Sequence, residues 1–189
     1  MLIKNSGEQG PVVAALFQRI ADDLTMISGS AVEVSGVTLE ERFDRPAGGG
    51  GVHVSFRFDV DSGGSASQGA LLLPVAEAIA LGSKLMMADD AQVAELQRAA
   101  RIDGRLREAV LEVGAFVSGA LQSALTHCGA RAVSVSSGGC QGVPAAVRPK
   151  LRYEEGAPLL VSRAAFSVGS AKAVEAILVL PAAAVLTPA

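Results

Sequence analysis

Two long stretches of the chain carry apolar residues at helical spacing. The first opens at Gly10-Pro11, and the second runs over residues 104–127 directly after Asp103. Proline suits the first turn of a helix, while aspartate is a favourable N-cap. The second stretch carries one apolar stripe that we expect to face the core: Leu106, Val110, Val113, Val117 and Leu121.

Shorter helical and extended segments are predicted between and after these helices. The pattern predicts a helix over residues 75–87, and we interpret Met86-Met87 as part of its core packing. It predicts another helix that Asp90 caps and that ends near residue 100. Residues 52–60 alternate strictly between apolar and polar, which is typical of a strand with one buried face. Gly48 to Gly51 form a flexible connection. The predicted strands are 31–42, 52–60, 67–73, 132–136, 150–154, 159–168 and 173–180.

The second half of the chain resembles the first. Residues 27–35 resemble residues 127–136 with one insertion, and Leu-Leu-Leu-Pro at 71–74 resembles Leu-Val-Leu-Pro at 178–181. A helix that buries one face on a sheet leaves the sheet edge free to pair with a second copy. The sequence therefore predicts a single α+β domain over residues 1–189. We expect half-repeats at about 11–87 and 104–184 to share one continuous antiparallel sheet, with both long helices on one side.

Composition excludes several classes of protein. The 189 residues are 50% hydrophobic and 19% charged, with a net charge of −3, which argues against disorder and against nucleic-acid binding. Two cysteines and two histidines predict neither a disulfide framework nor a metal site, and we expect no cofactor. The first residues lack a signal-peptide pattern, and no uncharged apolar run reaches a membrane span of about 20 residues. We expect a cytoplasmic protein.

The two thiols are expected to differ. Cys128 is interpreted as a partly buried structural thiol at a helix end, and Cys140 as part of an exposed glycine-rich loop. Neither has a sequence neighbour that would activate it as a nucleophile.

The long helix also has a stripe opposite its apolar one. We predict that this stripe is exposed and is the candidate binding site: Glu108, Glu112, Ala115, Gly119 and Gln122. It is interpreted as a solvated acidic face, or as small residues packing against the first helix. The functional alternatives are a docking surface for a basic partner and a surface for self-association.

Several short strings resemble the bacterial CheC/CheX/FliY superfamily of chemotaxis and flagellar-switch proteins. They are Leu71-Leu72-Leu73-Pro74, residues 80–87 (ALGSKLMM) and residues 108–115 (EAVLEVGA). The resemblance covers roughly residues 11–181. It implies the CheC-like fold and a partner that is a response-regulator receiver domain or a flagellar-switch protein.

Phosphatases of this superfamily remove the phosphoryl group from a receiver aspartate with a motif on a long helix. A Glu pairs with the receiver lysine, and an Asn three residues later orients the attacking water. The resemblance places the Glu at Glu112 and the Asn at Ala115, while the leading Asp or Ser falls on Glu108 and a proline near Gly138. The equivalent face of the first helix holds Val12 and Ala15. A methyl group neither donates nor accepts a hydrogen bond, so the amide function is missing.

The sequence is compatible with three functions. The favoured hypothesis is a non-catalytic CheC-like signalling protein that docks its partner through the long-helix face. The second is an aspartyl-phosphate phosphatase with altered residues, in which Glu108, Glu112 and Gln122 act, although Gln122 is about 10 Å from Ala115 along the helix. The third is a structural module that oligomerises through sheet edges, as a homodimer for example.

Overall fold

The structure is a computed structural model that describes residues 9–130 and 132–186. Within these residues the chain forms helices and strands in an order that repeats. The bounds are α1 Gln9–Ser28, β1 Val32–Arg42, β2 His53–Ser62, β3 Ser65–Pro74, α2 Val75–Leu85, α3 Asp90–Ala99, α4 Gly104–His127, β4 Val133–Val143, β5 Leu159–Val168, β6 Val174–Pro181 and α5 Ala183–Leu186.

The six strands form one antiparallel sheet in the order β1-β5-β6-β3-β2-β4. Exchanging β1, β2 and β3 with β4, β5 and β6 reproduces the same order in reverse. The sheet therefore has a pseudo-two-fold axis between β3 and β6, which confirms the predicted fold class. The exact limits of the half-repeats stay a prediction.

The two edge strands carry matching irregularities. In β1, residues 36 and 37 lie opposite one residue of β5, and in β4, residues 138 and 139 lie opposite one residue of β2. Gly36 and Gly139 have positive φ angles of 63° and 78°, which glycine adopts without steric cost. Both bulges thus occur where the sequence supplies a glycine.

The main core lies between the sheet and the helices α1, α2 and α4. The predicted core stripe of α4 is buried throughout, together with Leu16, Phe17 and Ile20 of α1. By length and composition α4 could also cross a membrane, but a core helix passes the same test, and about half of this one is buried against the rest of the protein. The buried apolar stripe of this helix packs on the sheet.

A second, smaller core covers the opposite face of the sheet. Leu72, Val161 and Val179 point into it from three strands, and Leu151 and Tyr153 pack over them. The prediction of a strand over residues 150–154 is therefore wrong. This segment crosses the face of the sheet. Alternate side chains are buried because they pack on that face, not because the segment pairs with a strand. Its one backbone hydrogen bond to a strand of the sheet, among the described residues, joins the Arg152 carbonyl to Gln68 N–H at 2.6 Å.

Two further predictions need correction. The glycine-rich residues 137–142 are not a loop but the second half of β4, which pairs with β2. The N-cap of α3 is Asp89 rather than Asp90, and it forms a capping box with Gln92. The first residues, where the sequence argued against a signal peptide, lie outside the described residues.

Candidate docking site on the long helix

Four of the five residues of the stripe predicted to be exposed on α4 are exposed in the structure. Glu108, Glu112, Ala115 and Gly119 are all exposed, because the opposite stripe holds the helix on the sheet. Glu112 therefore points away from the core, with the Ala115 methyl group one helical turn later. This arrangement presents a carboxylate but no amide.

Gln122 is placed differently from the rest of the stripe. Its Oε1 accepts a hydrogen bond from Val135 N–H at 2.6 Å, and its Nε2 donates to the Val133 carbonyl at 3.2 Å and to Thr126 Oγ1 at 3.0 Å. The amide thus fastens α4 to the start of β4. It is committed to the fold and is not free to hold water beside Glu112.

The small residues of the stripe do not mediate a close helix contact. Nothing lies within 4 Å of the position that a Cβ atom on Gly119 would occupy. The interpretation of this position as packing against the first helix is therefore wrong. The close approaches occur instead at Gly82, beside Val110 of α4, and at Gly114, beside Phe56 and Cys140.

Glu108 and Glu112 form one wall of an open groove of about 790 Å³, here called the α4 groove. The other walls come from the end of α2 and from one side of α3. The lining residues are Leu85, Met86, Met87, Ala88, Gln92, Glu95, Leu96, Ala99, Arg105, Glu108, Ala109 and Glu112.

The α2–α3 side of the groove is held by specific polar contacts. Lys84 Nζ bonds Asp90 Oδ1 at 2.7 Å, and Gln97 Nε2 donates to the Ala76 carbonyl at 2.9 Å. The Lys84 ammonium also lowers the pKa of the Asp90 carboxyl. Together with the capping box, these contacts fix the orientation of α3 relative to α2.

Two methionines at the rim of the groove are exposed. Met87 is 92% exposed and has a φ angle of 62°, a left-handed conformation at the helix end where glycine is usual. Met86, beside it, is 39% exposed. The prediction that Met86-Met87 pack in the core is wrong, because the chain turns outward after Leu85 to start α3.

The groove combines this apolar rim with an excess of negative charge. Glu95, Glu108 and Glu112 face one cation, Arg105. No ion pair joins these four side chains within the described part of the chain. The surface suits a partner with basic and apolar side chains. The sequence indicated only the α4 wall of this groove.

The thiols also depart from expectation. Cys128 is exposed, whereas Cys140 is half-buried beneath α4, where its thiol contacts the Val110 carbonyl at 3.7 Å. Burial raises the pKa of the Cys140 thiol from 9.0 to about 11. Among the described residues no group of three or more His, Cys, Asp or Glu side chains could hold a metal ion.

Comparisons by sequence identify neither a matching family model nor a matching curated protein. Comparison by structure gives clear matches. FliY from Thermotoga maritima is similar with a TM-score of 0.68 and 15% identity, covering 93% of this chain and 89% of that one.

Two more solved structures extend this similarity. The FliG–FliM complex from H. pylori contains a chain that matches with a TM-score of 0.63 and 9% identity, covering 96% of this chain and 100% of the other. The chemotaxis protein CheX from Desulfovibrio desulfuricans matches with a TM-score of 0.56 and 12% identity, covering 89% of this chain and 97% of the other. The chain has the fold of the CheC/CheX/FliY-type superfamily, as the resemblance drawn from its sequence implied.

Proposed function

We propose that this protein is a non-catalytic signalling module of the chemotaxis and flagellar-switch type. It binds a response-regulator receiver domain or a flagellar-switch protein through the α4 groove and the adjoining exposed face of α4. The single observation that carries the proposal is the exposed Glu112 at this groove, with Ala115 one turn later and the nearest amide of the stripe tied to β4.

The groove has the properties of a docking surface. Neighbouring exposed apolar side chains that are rimmed by charged residues are typical of an interaction surface. Met87, 92% exposed, and Met86 beside it form such a patch at the rim of the groove. According to the superfamily resemblance, a receiver domain has a lysine at its active site, and the proposal assigns the exposed Glu112 to pair with that lysine.

The hydrogen bonds of Gln122 weigh against a phosphatase. An in-line attack needs a donor and acceptor that hold the water against the phosphoryl group. On the exposed stripe, Ala115 has no such group and Gln122 uses both ends of its amide on β4 and Thr126. Binding without hydrolysis is the function that this arrangement supports best.

Binding is tested by titrating unphosphorylated and phosphorylated receiver domains, and a switch-protein domain, into the labelled protein. We expect saturable binding that Glu112→Gln weakens by about 2–10-fold, the usual effect of one charge at an interface rim. Glu155→Gln, at an exposed glutamate outside the groove, is the matched control. Absence of binding to every partner would refute the proposal.

Hydrolysis is tested separately. The wild-type protein should leave the lifetime of the receiver phosphate unchanged, and Ala115→Asn should shorten it, because the new amide stands one turn from Glu112. Faster hydrolysis by the wild type, abolished in Glu112→Ala, would instead establish the phosphatase alternative. A concentration-dependent dimer that shows no receiver binding would favour the oligomerising module.

A further inference from the structure

One half of the outer edge of β4 is closed by a side chain of α4. Among the described strands β4 pairs with β2 alone, so its other side is an edge of the sheet. Gln122 accepts from Val135 N–H at 2.6 Å and donates to the Val133 carbonyl at 3.2 Å. These are the backbone groups that a neighbouring strand would bond. The amide therefore takes the place of a neighbouring strand at the start of β4.

The other half of this edge is open. Because Val135 N–H points away from β2, the register of the two strands shows which later residues do the same. Cys140 and Gly142 lie opposite Phe56 and Val54, which belong to the same alternate series of β2 residues as the partner of Val135. Their N–H and carbonyl groups therefore point outward, and none of the described residues bonds them there. We call residues 140–143 the open β4 edge.

The equivalent stretch on the opposite edge of the sheet is protected by charge. Under the pseudo-two-fold axis, Gly142 opposite Val54 corresponds to Glu41 opposite Leu160. Residues 39–42 of β1 read Leu-Glu-Glu-Arg, whereas residues 140–143 of β4 read Cys-Gln-Gly-Val. Charged side chains on an edge strand oppose its pairing with another chain. The open β4 edge lacks this protection.

A cavity of about 380 Å³ adjoins the open β4 edge on the side of α4. Gly142 contributes to its lining, and a Cβ atom on this glycine would meet nothing within 4 Å. Val52 and Leu111, which also line it, are 50% and 39% exposed. A strand added to the edge would direct alternate side chains to this side of the sheet. Apolar side chains at those positions would cover the exposed valine and leucine.

Unpaired cations surround the open β4 edge. Arg57 Nη2 lies 3.8 Å from the position of a Cβ atom on Gly139, and Lys150 donates its backbone N–H to Gln141 Oε1 at 3.3 Å. Arg107 lines the cavity beside α4. Within the described part of the chain, none of these three cations forms an ion pair. The charge at this edge therefore favours an acidic partner.

We propose that the open β4 edge binds an acidic, extended segment of a partner protein as an additional antiparallel strand. Residues of the segment opposite Cys140 and Gly142 exchange backbone hydrogen bonds with β4 and place apolar side chains in the cavity. The residues between them present carboxylates to Arg57 and Lys150 on the other face. Backbone bonds then supply affinity, and the alternate side chains supply specificity.

A second copy of this chain fits the edge less well than such a segment. It would bring the same cations to the edge from both sides, and its own Gly142 has no side chain to fill the cavity. The open β4 edge is also separate from the α4 groove, so the domain can bind a segment here while a partner occupies the groove.

The probe is a fluorescent peptide of alternating glutamate and valine, titrated by fluorescence anisotropy. We expect saturable binding. The peptide N-methylated at its valines, whose N–H groups face β4, should bind at least about 10-fold more weakly, because several backbone bonds are lost. The peptide N-methylated at its glutamates, whose N–H groups face away, should bind as well as the parent. Equal affinity of the two methylated peptides, or no saturable binding of the parent, would overturn the proposal.

Variants of the protein locate the peptide on the open β4 edge. Gly142→Glu copies the charge of β1 onto this edge at a position with room for a side chain, and it should weaken binding at least about 10-fold without lowering Tm. Gly10→Glu, which adds the same charge on α1 beside β1, should not. Lys150→Gln should weaken binding about 2–5-fold, and Lys172→Gln, at another exposed lysine, should leave it unchanged.

Two further measurements separate this site from the other surfaces. Glu112→Gln should leave peptide binding unchanged, because Glu112 lies in the α4 groove; a loss of affinity in this variant would place the peptide there and refute the edge site. Sedimentation of the protein alone tests for a second copy. A dimer that dissociates on Gly142→Glu would assign the open β4 edge to self-association and overturn the proposal.

Discussion

Two glycines of α4, five residues apart, allow the packing of this helix to be tested with one chemical change. Replacing glycine by alanine inside a helix stabilises it by about 0.8–1 kcal/mol, because glycine loses more backbone entropy on folding. No atom lies within 4 Å of the position that a Cβ atom on Gly119 would occupy. Gly119→Ala should therefore raise the free energy of unfolding by this full amount.

Gly114→Ala should behave in the opposite way. Its Cβ would lie 3.1 Å from Cys140 Sγ and 3.2 Å from Phe56 Cδ1, closer than ordinary van der Waals contact. Phe56 is fully buried, so the core must shift to make room. Overpacking of this kind costs about 1–3 kcal/mol, which cancels or exceeds the propensity gain. The free energies of unfolding of the two variants should therefore differ by about 1–3 kcal/mol.

The assay is urea and thermal denaturation of both variants beside the wild type. For a domain of this size, each kcal/mol corresponds to a change of about 2–4 °C in Tm, so the two variants should be clearly separated. Adding Cys140→Ala to Gly114→Ala removes the closest contact and should recover part of the lost stability. If Gly114→Ala stabilised the protein as much as Gly119→Ala, the packing of α4 on β2 and β4 described here would be wrong.

Two further predictions concern buried ionisable groups. In a Cys128→Ser background, Cys140 should react with a thiol reagent at pH 8 at least about 10-fold more slowly in the native state than in urea. The rise in its pKa to about 11 lowers the fraction of Cys140 present as thiolate about 100-fold, and the greater nucleophilicity of a high-pKa thiolate compensates for only part of that loss. Equal reaction rates in the native state and in urea would contradict the burial of Cys140. Burial also raises the pKa of Glu77 above 4.5, so the native state holds this proton more tightly than the unfolded chain. The contribution of Glu77 to stability is thus present at low pH and lost as pH rises through the raised native pKa. In urea titrations between pH 4 and 8, Glu77→Gln should reduce the fall in the free energy of unfolding with rising pH. An unchanged pH profile would contradict a raised pKa of Glu77.

Much of the fold follows from local pattern. The apolar stripes of α1 and α4 and the alternation in β2 each arise from one element that buries one face, and this information lies within a single stretch of sequence. The repeated Leu-Pro endings of β3 and β6 similarly indicated a duplicated unit. For the same reason the outward position of Glu112 could be predicted from the spacing of Val110, Val113 and Val117.

Contacts between distant segments were decided only by the tertiary structure. Residues 137–142 become a strand because β2 supplies their hydrogen-bond partners, whereas residues 150–154 lie across a sheet face and gain none of that ladder. Gln122 is not free on the exposed stripe because its amide bonds two backbone groups of β4. Met87 is exposed because α3 turns away from α2. Local propensity cannot encode these outcomes, since each depends on which partner a backbone or amide group meets when the sheet assembles.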